Sequence, residues 1–171
     1  MVRQGIGMRI VAGIIDGVIQ FTLAFAITAA LIAVMGVGRG AVIIATIVAV
    51  AVAGAYSSLE FFKAQTPAKM MFKFIITKQD GSPATKDQLL KRWLFKFSPN
   101  VLGLIAVLIA VPAIGYGGNL LSLLVLVSAL MCARESKLAL HDEWFGTAVY
   151  GPGTEPQGFP VGQVPPPPPA A

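Results

Sequence analysis

Long stretches of apolar residues without any Asp, Glu, Lys or Arg dominate the sequence. These uncharged stretches cover residues 17–38, 40–59 and 97–133. A helix needs roughly 20 mostly apolar residues to cross the hydrocarbon core of a bilayer. The first two stretches therefore each predict one spanning helix. These two helices are expected over about residues 10–35 and 41–59, with a glycine-rich turn at 36–40 between them.

The third uncharged stretch is too long for one span and just long enough for two short ones. Pro112 and the segment Gly-Tyr-Gly-Gly-Asn at residues 115–119 interrupt its middle, and such residues punctuate helices. We therefore predict a hairpin of two short spanning helices over about residues 100–116 and 119–133. A three-span arrangement, with a single last helix, is the alternative.

The distribution of basic residues favours four spans. Of the 13 Lys and Arg residues, all but Arg39 lie on one side of the membrane if there are four spans. With three spans, Arg134 and Lys137 would lie on the opposite side, against the tendency of Lys and Arg to collect in cytoplasmic loops. The sequence therefore predicts an all-α protein of the bacterial cytoplasmic (inner) membrane, with four transmembrane helices and both termini cytoplasmic.

Composition agrees with this class. Hydrophobic residues make up 56% of the 171-residue chain and charged residues 12%, whereas soluble domains contain about 25% charged residues. The net charge of +5 is carried mainly between apolar spans, so anionic lipid headgroups are the expected partner and nucleic acid is not.

The segment 60–97 is predicted to be cytoplasmic and partly structured. Apolar residues alternate over residues 70–77, which indicates an extended stretch, and Asp80-Gly81 follows as a turn. Thr85 and Gln88 have the spacing of a capping box. This box precedes apolar residues at helical spacing with basic residues between them. We expect an amphipathic helix that lies in the membrane interface and runs into the third span.

The last 21 residues differ in kind from the rest. Gly and Pro are frequent from residue 151 onward, and the run Pro165–Pro169 favours polyproline II. The sequence thus predicts a membrane domain over residues 1–150 and a disordered Pro-rich tail over 151–171. The tail is either inert or a ligand for an aromatic groove.

Asp16 is the residue that most needs an explanation, because an ionised carboxylate inside a span is costly and often marks a functional path. Arg9 lies two turns earlier on the same helix face, and Gln20 one turn later. Gly13 and Gly17 form a small-xxx-small pair that allows another helix to approach closely. Asp16 is either structural, by pairing with Arg9 or capping a neighbouring helix, or it couples ions or substrate.

Further polar groups are expected at the same depth. They are Glu60, Lys69, Arg92, His141 and Asp142. With Arg9 and Asp16 they can form one buried ionic network at the cytoplasmic face. His141 has no second His or Cys at ligand spacing, so no metal site is expected. Walker A, GxSxG and HExxH motifs are absent from the sequence, so we expect neither an enzyme nor a cofactor.

Three short motifs together resemble the RDD family of bacterial membrane proteins. They are Arg9–Asp16 (Arg-Ile-Val-Ala-Gly-Ile-Ile-Asp), Thr66-Pro67-Ala68-Lys69, and Leu140–Val149 with its Asp-Glu-Trp-Phe-Gly-Thr core. The resemblance covers about residues 3–150. Ala68 stands where the family usually has Gly, and the region 100–133 is longer than in members with a single last apolar segment.

The resemblance implies a role in transport, with sodium/proton exchange suggested for some members, and it implicates Arg9, Asp16 and Asp142. We expect a transporter or cation/proton exchange component. In it, Asp16 is the protonatable or cation-binding carboxylate and Arg9 its counter-charge, with Asp142 and Glu60 in support. A homo-oligomer or a larger membrane complex is expected. The alternatives are an accessory or assembly subunit of such a complex, or a lipid-interacting envelope protein.

Overall fold

Four long helices form most of the computed structural model, which describes residues 2–152. The long helices are α1 (Ile6–Met35), α2 (Arg39–Lys63), α4 (Lys86–Ile109) and α5 (Pro112–Leu130), the last extended by a short 3-10 turn at Met131–Ala133. Within residues 2–152, these four are the helices long and apolar enough to cross a membrane. Their composition and length are those of a multi-pass membrane protein.

Short elements collect at one end of the bundle, where α1 and α4 begin and α2 and α5 end. They are the helices α3 (Pro67–Met71) and α6 (Leu140–Phe145) and the strands β1 (Val2–Arg3), β2 (Ile75–Lys78) and β3 (Thr147–Gly151). We call this end the charged end, since every basic residue of the described chain except Arg39 lies on it. It is the end that the charge distribution predicts to be cytoplasmic.

The long helices pack in chain order, and this order leaves one side of the bundle open. Helix α1 packs on α2, α2 on α4, and α4 on α5. Helix α1 approaches the end of α5 mainly at the charged end, where it lies beside the turn at residues 131–133. A gap between α1 and α5 therefore extends away from the charged end.

The hairpin turn lies earlier than the sequence suggested. Helix α4 ends at Ile109 and is followed by Ala110, whose φ of 55° is left-handed, and Pro112 occupies the first turn of α5. Proline suits that position because its fixed φ fits a helix start and its missing N–H would lack a partner there. The bounds predicted for the two spans, 100–116 and 119–133, therefore differ from those of α4 and α5. The predicted amphipathic segment does run into the third span, in one helix over 86–109.

The glycines that had indicated the turn serve packing instead. A Cβ built on Gly118 would lie 3.3 Å from the carbonyl oxygen of Pro99, and one on Gly115 would lie 3.6 Å from Cβ of Ala106. Small residues at these positions allow α5 to approach α4 closely, as is common between membrane helices.

A small antiparallel sheet accompanies the mostly helical fold. Its strand order is β1-β3-β2, and Ile76 lies opposite Val149. Phe74, Ile76 and Val149 are almost fully buried, so the predicted alternation in 70–77 does place apolar side chains inward. Only its second half is a strand, however, because Thr66 caps a helix that begins at Pro67. The sheet anchors the segments on either side of α4 and α5.

The start of α4 is as predicted, and the tail remains a prediction. The Thr85 side chain accepts from the Gln88 backbone N–H and the Gln88 side chain accepts from that of Thr85, so the capping box is confirmed. Gly151 is the last residue of β3. The rest of the predicted Pro-rich tail, from residue 153 to 171, lies outside the described residues.

Candidate functional site

Charged side chains from separate helices meet at the charged end around a cavity of about 470 Å³. Each of α1, α2, α3 and α4 contributes to its lining at the same depth, and α6 contributes from behind. The charged members of this cluster are Arg9, Glu60, Lys69, Arg92, Lys96 and Asp142. We call these six residues the ionic cluster. The sequence predicted five of them as parts of one buried network, and the structure brings those five together.

Asp142 is the first centre of the ionic cluster. Its Oδ2 lies 2.5 Å from Nη1 of Arg9, and its Oδ1 pairs with the guanidinium of Arg92. Thr147 donates its hydroxyl to Oδ1 at 3.2 Å, and the Ala139 backbone N–H donates to Oδ2 at 3.2 Å. Both carboxylate oxygens thus accept hydrogen bonds in addition to their ion pairs. A buried ion pair is tolerated under this condition.

Glu60 is the second centre. Its Oε1 accepts from Nε of Arg92 at 2.7 Å, and its Oε2 accepts from Lys69 at 2.6 Å and from Lys96 at 2.7 Å. Arg92 therefore joins the two carboxylates, and three cations surround Glu60. Charge-assisted hydrogen bonds of this kind are the strong ones in proteins.

The ionic cluster carries an excess of positive charge. Two carboxylates face four basic groups. Burial lowers the pKa of Lys69 to about 7, against the attraction of Glu60 and with the help of Lys96 and Arg92. The charge of Lys69 is therefore predicted to change near neutral pH.

Asp16 belongs to a separate set of contacts. It accepts hydrogen bonds from the Tyr56 hydroxyl at 2.6 Å, the Thr66 hydroxyl at 2.5 Å and the Ala68 backbone N–H at 3.1 Å. It thus ties the start of α3 to α1, and a carboxylate is well placed at the N-terminal end of a helix.

Arg9 is not the counter-charge of Asp16. Seven helical residues separate the two by about 10.5 Å along the axis, and within residues 2–152 Arg9 pairs with Asp142. Of the two structural roles considered for Asp16, capping a neighbouring helix is the one that its contacts match.

His141 lies behind the ionic cluster as a neutral group. Burial, with Arg92 and Lys96 nearby, holds its pKa well below the usual value. Its Nδ1 lies 2.8 Å from Oγ of Ser128, and its backbone N–H donates to the same oxygen at 3.2 Å. These contacts tie α6 to α5, so His141 supports the geometry of Asp142 beside it.

Gln20 occupies the junction of two grooves. A second groove of about 440 Å³ runs between α1 and α2 toward the opposite end of the bundle, where Ile32 and Val42 line it. Gln20 and Asn100 line both the cavity at the charged end and this second groove. The two cavities therefore border each other at these two residues and together follow most of α1.

Gly13 and Gly17 do not serve as a contact within the described chain. Both are exposed, and a Cβ built on either would meet no atom within 4 Å. No helix of residues 2–152 packs closely on this face of α1, so the expected close approach would require another copy or another protein.

Several site residues were missed from the sequence. Lys96 lies one turn after Arg92 on the same face of α4, and that spacing could have identified it. Tyr56 likewise lies one turn before Glu60 on α2. Thr147 and Ser128 are completely buried partners of the ionic groups. Thr147 stands in the same family-like motif as Asp142, whereas no sequence pattern indicates Ser128.

The sequence model of the RDD family matches residues 3–146, well over half of the chain. The chain belongs to the RDD family. Its described structure agrees with a multi-pass membrane protein. Arg9 and Asp142, two of the three residues that the resemblance implicates, form an ion pair, and Asp16, the third, does not join it. Comparison with curated proteins and with solved structures gives no match.

Proposed function

We propose that this RDD-family protein is a small transport component of the bacterial inner membrane, with its charged end in the cytoplasm. The observation that supports this most is the succession of two grooves that share Gln20 and Asn100 in their linings, which we take as one path. It begins at the ionic cluster, passes Gln20 and Asn100, and reaches the level of Ile32 and Val42 near the opposite end. Polar groups inside a membrane bundle usually face such a path.

Lys69 and Glu60 are the proposed coupling pair. When Lys69 releases its proton, Glu60 keeps Arg92 and Lys96 as partners, so the carboxylate stays compensated in both states. A change of one charge beside the cavity then alters its affinity for a charged solute. Asp16, with three neutral donors on its oxygens, serves in this proposal to hold α3 and hence Lys69 in place.

Other titratable and charged groups face Lys69 across the cavity, and the coupling depends on them as a set. They are Arg9 and Asp16 on α1, Glu60 on α2, Arg92 and Lys96 on α4, and His141 on α6. Burial lowers the pKa of Lys69, Glu60 favours its charged form, and Lys96 and Arg92 oppose that form.

The path is tested by blocking its junction. Purified protein is reconstituted in liposomes that contain a pH-sensitive dye, and proton flux is followed after imposing gradients of sodium chloride or potassium phosphate. Asn100→Trp should abolish the protein-dependent flux, because the indole fills the junction. Ile105→Trp, on α4 but outside the lining of either groove, should leave it intact. Equal flux for Asn100→Trp and wild type would contradict the path, and no flux above that of empty liposomes would contradict transport.

A second function is favoured by the open face of α1. The exposed positions Gly13 and Gly17 suit contact with a second copy or with a larger membrane complex, and an accessory or assembly subunit would use such a face. In that case Gly17→Leu should abolish stoichiometric co-purification of the partner in mild detergent. Gly38→Leu, in the turn at the opposite end, serves as the control.

A further inference from the structure

One nitrogen in the ionic cluster lacks a partner. Arg9 donates from Nε to the Gln4 carbonyl at 3.0 Å and from Nη1 to Asp142 and to Sγ of Cys132. Within the described chain, its Nη2 is buried and makes no hydrogen bond. A buried charged donor without a partner is costly. A group outside residues 2–152 is therefore expected to accept a hydrogen bond from this nitrogen.

The surrounding charge favours an anion as that group. While Lys69 is protonated, four cations face the two carboxylates of the ionic cluster, and even with Asp16 included the cavity keeps one excess positive charge. Lys96 adds a flexible ammonium at the edge, where its side chain remains about one-third exposed. Guanidinium and ammonium groups together are typical of sites that bind phosphate.

The rest of the cavity is apolar and open to the side. Ile10 and Ile14 of α1 and Leu126 of α5 line it and are exposed, and these two helices border the gap in the bundle. Phe97 contributes to the opposite wall. A ligand with an anionic head and an apolar chain would match both parts, whereas an inorganic anion would contact only the charged part.

We propose that the cavity binds the phosphate group of an anionic amphiphile, with the phosphate at Arg9 Nη2 and Lys96 and the chain between α1 and α5. This inference deepens the proposed function and rests on it for the role of the cavity, because it names the class of ligand. The shared chemistry is an oxyanion of the phosphate type, which a phospholipid or a free phosphate could supply.

Trp93 provides a direct measure of binding. It lines the cavity, and its Nε1 donates to Ser57 at 2.9 Å, which fixes the indole in the wall. The full chain carrying Trp144→Phe leaves Trp93 as the only tryptophan. In neutral detergent at pH 6, where Lys69 is protonated, this protein is titrated with phosphatidylglycerol that is brominated on its acyl chains. Brominated phosphatidylcholine is the neutral-headgroup comparison, and bromine quenches indole fluorescence at short range.

Two lysines on α4 give a matched pair of variants. Lys96→Gln removes a cation of the cavity, while Glu60 keeps Lys69 and Arg92. Lys91→Gln removes the same charge from an exposed position paired with Asp87. We expect the phosphatidylglycerol concentration at half-saturation to rise about tenfold in Lys96→Gln, because one charge-assisted hydrogen bond is lost. In Lys91→Gln this concentration should stay within about twofold of that of the parent protein.

Competition separates the two sources of phosphate. If inorganic phosphate at millimolar concentration displaces the brominated lipid, and Lys96→Gln prevents this, the ligand is a free oxyanion and the lipid part of the proposal is wrong. Displacement by unlabelled phosphatidylglycerol alone supports the amphiphile.

Two further outcomes would overturn anion binding altogether. One is equal quenching of Trp93 by brominated phosphatidylglycerol and brominated phosphatidylcholine. The other is an equal loss of affinity for phosphatidylglycerol in Lys96→Gln and Lys91→Gln. Because binding is measured without a gradient, anion binding in a protein that shows no flux would overturn the transport proposal alone.

Discussion

The substitution Asp142→Asn tests whether the ionic cluster holds the charged end together. The amide keeps the shape of the side chain but removes its charge. It leaves Arg9, which is mostly buried, without a carboxylate, while Arg92 retains Glu60. In addition, the amide NH₂ would replace one of the two carboxylate oxygens, and both oxygens now accept hydrogen bonds. The NH₂ would then face another donor, from Arg9 and Ala139 on one side or from Arg92 on the other.

The expected cost follows from these contacts. Removing one partner of a buried pair typically costs about 3–5 kcal/mol, because the other charge stays buried without compensation. Asp16→Asn is the matched control. Asp16 accepts from two hydroxyls and one backbone N–H, and a hydroxyl can turn to accept from the amide. That substitution should therefore cost only about 1–2 kcal/mol.

The assay is reversible unfolding of the purified variants in mixed micelles, followed by tryptophan fluorescence. A double-mutant cycle with Arg9→Met adds a specific test. If Arg9 and Asp142 are direct partners, the double variant should be more stable than the sum of the single effects predicts, by about 1–3 kcal/mol. Strict additivity, or a larger loss from Asp16→Asn than from Asp142→Asn, would refute the assignment of Asp142 as a centre of the cluster.

Three further predictions concern local features. Thr66→Ala removes the cap of α3 and one donor to Asp16, and should lower the free energy of unfolding by about 1–2 kcal/mol in the same micelle assay. Gly118→Leu should destabilise the contact of α5 with α4 by more than about 2 kcal/mol, because its Cβ would lie 3.3 Å from a backbone oxygen. As the control for this contact, Gly17→Ala, in open space inside α1, should not destabilise and should raise stability by about 0.5–1 kcal/mol, because alanine favours a helix more than glycine does. The lowered pKa of Lys69 means that the unfolded chain binds more protons than the folded one between pH 7 and 10.5. Stability should therefore rise with pH across this window, and Lys69→Met should remove that part of the rise.

The spanning helices were predictable because their signal is local. Charge-free stretches of sufficient length identify α1 and α2, and the asymmetry of Lys and Arg correctly favoured two further helices over one. The position of the last turn was not predictable by the same means. Proline and glycine each interrupt helices in the general case, and only the contact of Gly118 with α4 shows that the glycines here serve packing.

The members of the ionic cluster were predictable, but their pairing was not. Each charged residue beside a span stands out because charge there is costly, and Arg92 and Glu60 were identified in this way. Which acid meets which base depends on how α6 and β3 fold back onto α4. The hydroxyl of Thr147 completes Asp142 from within that returning segment, but the bases that Asp142 meets lie on α1 and α4, far away in the sequence. Arg9 and Asp16 looked like partners only because they share a helix face.

The sheet was missed for a related reason. Its outer strand β1 has two residues and its central strand β3 has five, so neither gives an alternating pattern long enough to detect. Strands this short are stabilised by their neighbours rather than by local preference. Ile76 and Val149 are apolar positions whose pairing becomes evident only in the folded chain.

The pH dependence of flux in Lys69→Arg proteoliposomes tests the central proposal most directly. Arginine can keep the ion pair with Glu60 but does not release its proton at physiological pH. The proposal predicts that wild-type proton flux changes most steeply near pH 7, and that Lys69→Arg loses this dependence together with proton coupling. Lys91→Arg, at the exposed site on α4, should behave as wild type. An unchanged pH profile in Lys69→Arg would contradict the assignment of Lys69 as the coupling group.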